Sequence, residues 1–167
     1  VDILFFPFVM LGIERLNIIE NFTQSTHFEL VYMPYTHSLL ATFLWAVLIY
    51  LLFRIVRGAT RRVAVIIAIA VMSHWFLDLI VHTPDLPLWS DGSLKLGFGL
   101  WNNAPATYLL EAVLLLTGLL LYLSATKPKV SLRNSKVARY GIGLFVLVML
   151  IANAINAKNI AAAPPIT

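Results

Sequence analysis

The sequence predicts an all-α fold, a polytopic bundle of transmembrane helices. The 167-residue chain is 60% hydrophobic and 12% charged, whereas soluble domains are about 25% charged. Four long apolar runs each approach the roughly 20 residues that a helix needs to cross a bilayer. Most basic residues lie between these runs rather than inside them. Little chain remains for a soluble domain, so any chemistry must lie among the helices or at their ends.

We expect four complete spans and one partial span in a single integral membrane domain, 1–167. The apolar stretch 1–13, VDILFFPFVMLGI, is too short to cross a bilayer and is expected to be the second half of a spanning helix. Residues 14–37 are mixed and polar. The complete spans are predicted at 38–56, 63–82, 107–124 and 140–157. Between the second and third of these, Pro, Asp and Gly residues indicate a loop.

Two basic loops predict how the chain is oriented. Residues 54–62 and 127–139 hold most of the Lys and Arg and contain no Asp or Glu. The positive-inside rule places both loops in the cytoplasm. Every acid and every His is then expected within the membrane or towards its outer side. Because this topology accounts for the net positive charge, we expect no nucleic-acid partner.

Costly ionisable residues occur inside or beside these spans. With a rise of about 1.5 Å per residue from Val63, His74 lies ~16 Å deep and Asp78 ~22 Å deep. His37 is at the outer start of the preceding span, and Asp2 is near mid-membrane by the same measure. A carboxylate at the bilayer centre costs about 3 kcal/mol, so it needs a partner, a proton or a cation. We expect these four residues and Glu111, which lies in the outer half of the span 107–124, to converge on one cavity that opens outward.

The types and spacing of these residues predict a metal site. His74 and Asp78 are four residues apart and share one helix face. Neutral imidazole and carboxylate are a usual ligand pair for zinc or a similar divalent ion. His37 and Asp2 would complete the set of ligands. The alternative for His74 and Asp78 is a hydrogen-bonded pair that joins helices.

Three further residues are candidates for handling protons. His82 and Asp85 follow the predicted ligands along the chain and could act as a general base or orient one. Their alternative reading is as ordinary interfacial residues. Glu111 lies in the outer half of its span. It could take part in catalysis, or it could only form a buried hydrogen bond to a neighbouring helix.

Two motifs resemble a known family. YTHSLLA at 35–41 and MSHWFLDLIVHTPDLPLW at 72–89 resemble the bacterial inner-membrane proteins described as metal-dependent hydrolases, including LexA-regulated membrane-bound members. That family pairs a Thr-His-Ser element with a Ser-His-x-x-x-Asp element in the next helix. The resemblance implies a multi-pass protein of the bacterial inner membrane. It also implies His37, His74 and Asp78 as metal ligands, with Asp2 matching an acidic position.

The sequence leaves open whether the chain is an enzyme. One hypothesis is a metal-dependent hydrolase that acts on a lipid or lipid-linked ester or phosphoester from the outer side. The other is a non-catalytic accessory subunit of a larger membrane protein complex. A proton or ion pathway ranks last, because no ionisable residue lies between Val63 and Ser73.

Overall fold

The structure is a computed structural model that describes residues 1–126 and 133–161, with only the backbone described at 133–138 and 157–161. The short helix α1 is Asp2–Met10, and the strands β1 and β2 are Arg15–Ile18 and Phe28–Tyr32. Next come α2, Leu39–Leu51, with a π-helical turn at Leu52–Val56, and α3, Arg61–Val81. The short strands β3 and β4 are Leu86–Pro87 and Lys95–Leu96, followed by a 3₁₀ turn at Leu100–Asn102. The chain continues with α4, Ala104–Ala125, and α5, Arg133–Ala161.

Within the described residues, four helices are long and apolar enough to cross a membrane. They cover Leu39–Val56, Arg61–Val81, Ala104–Ala125 and Arg139–Asn156. The predicted all-α fold and the four spans are therefore confirmed, with ends that differ by at most three residues. The chain is a multi-pass membrane protein.

Some predictions on topology stay predictions. The helix α1 is nine residues long, and its place as half of a span is not tested. The cytoplasmic side of the basic loops is not tested either. Lys127 and Lys129, in the second of these loops, lie outside the described residues.

The described chain divides into two compact units. The first contains Val1–Phe22 and Thr26–Asn102, and the second contains Thr23–Ser25 and the chain from Asn103. In the first unit α2 packs against α3, and in the second α4 packs against α5. The prediction of a single membrane domain stays a prediction.

The first unit also contains two small hairpins, which the sequence did not predict. Strands β1 and β2 pair antiparallel with Leu16 opposite Leu30, and β3 pairs antiparallel with β4. A core of Phe5, Met33 and Leu86 joins α1 to both hairpin regions. This packing holds α1 against the segment that leads into α2.

The end of α3 is fixed by a close backbone approach. The amide of Phe98 donates to the carbonyl of Leu79 at 2.8 Å, and that of Gly99 donates to His82 at 2.6 Å. A Cβ on Gly97 would collide with the backbone carbonyls of His82 and Thr83. Gly97 is therefore required for β4 to lie against the C-terminal end of α3.

Candidate metal centre

The segment Thr36-His37-Ser38 enters α2, and each residue has a separate task. Ser38 caps the helix, because its hydroxyl accepts from the amide of Ala41 at 3.0 Å. The same hydroxyl donates to the carbonyl of Pro34 at 2.7 Å. His37 is only 4% exposed, and the edge of the Phe5 ring contacts it at a centroid distance of 4.9 Å. The cap and this packing fix the direction of the His37 side chain.

A fully buried carboxylate orients Thr36. Glu14 is 0% exposed, and its Oε1 accepts from the amides of Tyr35 at 2.9 Å and Thr36 at 3.0 Å. The Thr36 hydroxyl donates to Glu14 Oε2 at 2.6 Å. The same hydroxyl oxygen lies 2.7 Å from Nδ1 of His37. These bonds form a chain that runs from Glu14 through Thr36 to the imidazole.

This chain determines which nitrogen of His37 carries the proton. An ionised carboxylate can only accept, so the single Thr36 hydroxyl proton is directed at Glu14. The Thr36 oxygen must then accept from Nδ1–H of His37. The other nitrogen, Nε2, is left with a lone pair in the neutral ring, and it faces Asp2 Oδ1 at 3.1 Å. Two acceptors this close repel each other unless a second proton or a cation lies between them.

His74 presents a second nitrogen to the same oxygen. Its Nε2 lies 3.3 Å from Asp2 Oδ1 and 3.1 Å from Asp78 Oδ2. At these distances both contacts are within ion-pair range, yet the buried Nε2 of His74 and Oδ2 of Asp78 have no hydrogen-bond partner. The distances are short and the angles are wrong for hydrogen bonds. Atoms arranged in this way can instead direct their lone pairs at a common cation.

Asp2, His37 and His74 form a group that could hold a metal ion, because their ligand atoms all lie within 4.8 Å of one another. Ligands about 2.0–2.1 Å from a tetrahedral zinc ion lie about 3.3 Å from each other. The 3.1–3.3 Å contacts that Asp2 makes with the two imidazoles match that spacing. Of these three residues, Asp78 contacts only His74. It is the candidate for a fourth ligand. The structure thus brings three of the four predicted ligands into one group and places the fourth, Asp78, beside it against His74.

Burial differs strongly across this metal centre. The His37 side chain is 4% exposed, Asp78 14% and His74 26%, whereas Asp2 is 58% exposed. Asp2 is therefore the most exposed of these side chains, and His37 is the least exposed.

His82 and Asp85 form a pair beside this centre. Nδ1 of His82 lies 2.9 Å from Asp85 Oδ1, and Thr83 donates to the other carboxylate oxygen at 2.9 Å. His82 is 3% exposed, and its ring centroid lies 6.2 Å from that of His37 and 4.3 Å from that of Trp101. If Nδ1–H of His82 donates to the carboxylate of Asp85, the lone pair of the neutral ring lies on Nε2.

Glu111 lies in the second unit. It lines a small polar cavity with residues of α4, α5 and the Thr23–Ser25 segment. The structure leaves its predicted catalytic role untested.

Sequence reasoning missed Glu14 and the linking function of Thr36. Glu14 lies in a mixed, polar stretch with no motif of its own, and the fold brings it to Thr36 across 22 positions. The only available signal was an acid directly after the first apolar run, which has many explanations. Thr36 lay inside the quoted Thr-His-Ser motif but had no assigned task.

The comparisons with known proteins gave no match: no family model fits the chain, and no curated protein or solved structure is similar to it.

Proposed function

We propose that this membrane protein binds one divalent metal ion, with zinc the expected ion, and uses it to hydrolyse a lipid or lipid-linked ester or phosphoester from the outer side of a bacterial inner membrane. Asp2, His37 and His74 would hold the ion, with Asp78 as the fourth ligand. The resemblance to membrane-bound metal-dependent hydrolases supports the same proposal.

The orientation of the imidazoles is the observation that carries the proposal. The chain from Glu14 through Thr36 leaves a lone pair on His37 Nε2 aimed at an Asp2 oxygen 3.1 Å away. A second proton on His37 would relieve this one contact, but it would not provide for the unpartnered atoms of His74 and Asp78. One cation would relieve all of these contacts together. Two carboxylate ligands also balance the charge of a divalent ion.

Nitrogen and carboxylate ligands suit a catalytic zinc ion. A zinc ion held by these residues would lower the pKa of a water that it binds and would polarise an ester or phosphoester oxygen. In the hydrolysis, the water oxygen bonds to the carbonyl carbon or the phosphorus, and the ester bond to the leaving oxygen breaks. His82 would take a proton from the water at Nε2 and return it to the leaving oxygen, while Asp85 stabilises the protonated ring.

An apolar groove supports a lipid substrate. It has a volume of about 550 Å³ and is lined by α2, α3 and the β3–β4 hairpin region, including Leu39, Met72 and Trp89. Every side chain that lines it is apolar or aromatic, so the groove would hold an acyl chain of a lipid substrate.

The test measures hydrolysis by purified protein in mixed micelles. Phospholipids and lipid-linked diphosphates are incubated with the protein, and the products are detected by mass spectrometry. We expect turnover that chelation abolishes and zinc restores. His82→Asn is expected to keep the metal and lose about 100-fold or more in turnover.

The control variant for this assay is His27→Asn, in a loop where the ring accepts from the amide of Asn21 at 2.9 Å. Full metal content without turnover of either lipid class would overturn the hydrolase proposal. That result would favour the accessory-subunit hypothesis, in which the metal centre only joins α1 to α2 and α3.

A further inference from the structure

The second unit contains a cavity with a different chemistry. Its volume is about 40 Å³, enough for one ion or water molecule. Six of its seven lining side chains carry oxygen, and none of the seven is basic or an imidazole. The lining residues are Ser25, Ala104, Thr107, Tyr108, Glu111, Asn153 and Asn156.

The lining comes from two facing helices and one short segment. Thr107 and Glu111 are four residues apart on α4, and Asn153 and Asn156 are three residues apart on α5, so each pair shares one helix face. The Asn156 amide nitrogen donates to the backbone carbonyl of Ser25 at 3.2 Å. That bond turns the amide nitrogen of Asn156 towards the backbone and leaves its oxygen available as a ligand.

Within the part of the chain that the structure describes, Ser25 and Glu111 carry oxygens in this cavity without a protein partner. The Ser25 hydroxyl oxygen is buried and makes no hydrogen bond. Glu111 is partly buried, and among the side chains that the structure describes, no basic group forms an ion pair with it. Glu111 is seven residues, about 10 Å of helix rise, into a membrane-spanning helix. A carboxylate at that depth requires a compensating positive charge or a proton.

We propose that this cavity binds one sodium ion. Oxygen ligands without nitrogen or sulfur suit hard cations rather than zinc. A single carboxylate gives a neutral site with a monovalent ion, whereas a divalent ion would leave a net charge in a low dielectric. Glu111 supplies the charge, and the amide and hydroxyl oxygens of Asn153, Asn156 and Ser25 supply dipoles.

The experiment is thermal unfolding of the purified full chain in detergent, in sodium chloride and in N-methylglucamine chloride at equal ionic strength. For wild type we expect a saturable rise of about 3–6 °C in Tm at a sodium concentration near ten times Kd. Glu111→Gln should abolish the sodium-dependent rise, and the control Glu20→Gln, which removes an exposed carboxylate, should keep it.

Three results would overturn the proposal. A wild-type Tm that is equal in both salts would mean that Glu111 is compensated by a proton and the cavity holds water. A rise that persists in Glu111→Gln would place the ion elsewhere, and a rise with calcium but not sodium would contradict the single charge. Asn153→Leu provides a second test if Glu111→Gln fails to fold, because it removes one ligand oxygen and should raise the sodium Kd about 10-fold.

This inference stands apart from the proposed hydrolase. Chelator-treated protein without the divalent metal should show the same sodium-dependent rise in Tm. A failed sodium test therefore leaves the metal centre of the first unit untouched.

Discussion

The two compact units use carboxylates within apolar surroundings in different ways. In the first unit, Asp2 and Asp78 meet the imidazoles of His37 and His74. In the second unit, Glu111 lines a cavity together with hydroxyl and amide side chains. Depth in the membrane explains why the charge of a carboxylate needs compensation. The neighbouring side chains determine which cation can compensate it. Nitrogen ligands favour a transition metal or zinc, and oxygen ligands favour a hard cation.

The largest expected difference between the two units is in zinc affinity after one carboxylate in each unit is neutralised. Asp78→Asn removes a predicted ligand, so we expect a loss of at least about 100-fold in zinc affinity. Glu111→Gln should leave zinc affinity unchanged, because its cavity offers no nitrogen ligand. Zinc affinity is measured by competition with a chromophoric chelator. Equal losses in the two variants would show that the units do not act as separate sites.

The orientation of His37 can be tested through Thr36 and Glu14. Thr36→Val removes the hydroxyl that links Glu14 to Nδ1, and it is expected to weaken zinc binding about 10–100-fold. Thr36→Ser keeps the hydroxyl and should bind zinc nearly as wild type does. Glu14→Gln should weaken binding to a similar extent, while Glu29→Gln, on an exposed strand pair with Asn17, should not.

The same set of variants can also contradict this account. If Thr36→Val binds zinc as tightly as Thr36→Ser, the tautomer of His37 is not set by this chain. The free energy of unfolding must be measured for each variant, because a buried carboxylate with three hydrogen bonds also stabilises the fold.

Much of the fold, but only part of the metal centre, could be predicted from the sequence. The spans were predictable because each is one long apolar run, and depth along them indicated that Asp2, His37, His74 and Asp78 converge. The β3–β4 hairpin could not be predicted, because two-residue strands carry no alternating pattern. The role of Glu14 could not be predicted either, because only tertiary packing shows that it reaches Thr36. The pairing of His82 with Asp85 and the distance between the rings of His82 and His37 were found only in the structure.

The smallest expected effect is on the free energy of unfolding, at Gly97, where the backbone packs closely against His82. Gly97→Ala places a methyl group against the carbonyls of His82 and Thr83, and should lower the free energy of unfolding by about 1–3 kcal/mol. Gly92→Ala is the matched control, since no atom lies within 4 Å of its Cβ position. Thermal unfolding of both variants measures the difference. Equal stability of the two would mean that β4 does not approach α3 as closely as described.

The most direct test of the central claim is the metal content of the purified protein. Inductively coupled plasma mass spectrometry is applied to wild type, His74→Ala and the control His27→Ala, all prepared without chelators. We predict about one zinc or similar divalent ion per chain in wild type and in His27→Ala, and a loss of that ion in His74→Ala. Wild-type protein without a stoichiometric metal would contradict the account. Asp2, His37, His74 and Asp78 would then be a polar cluster that joins helices through shared protons.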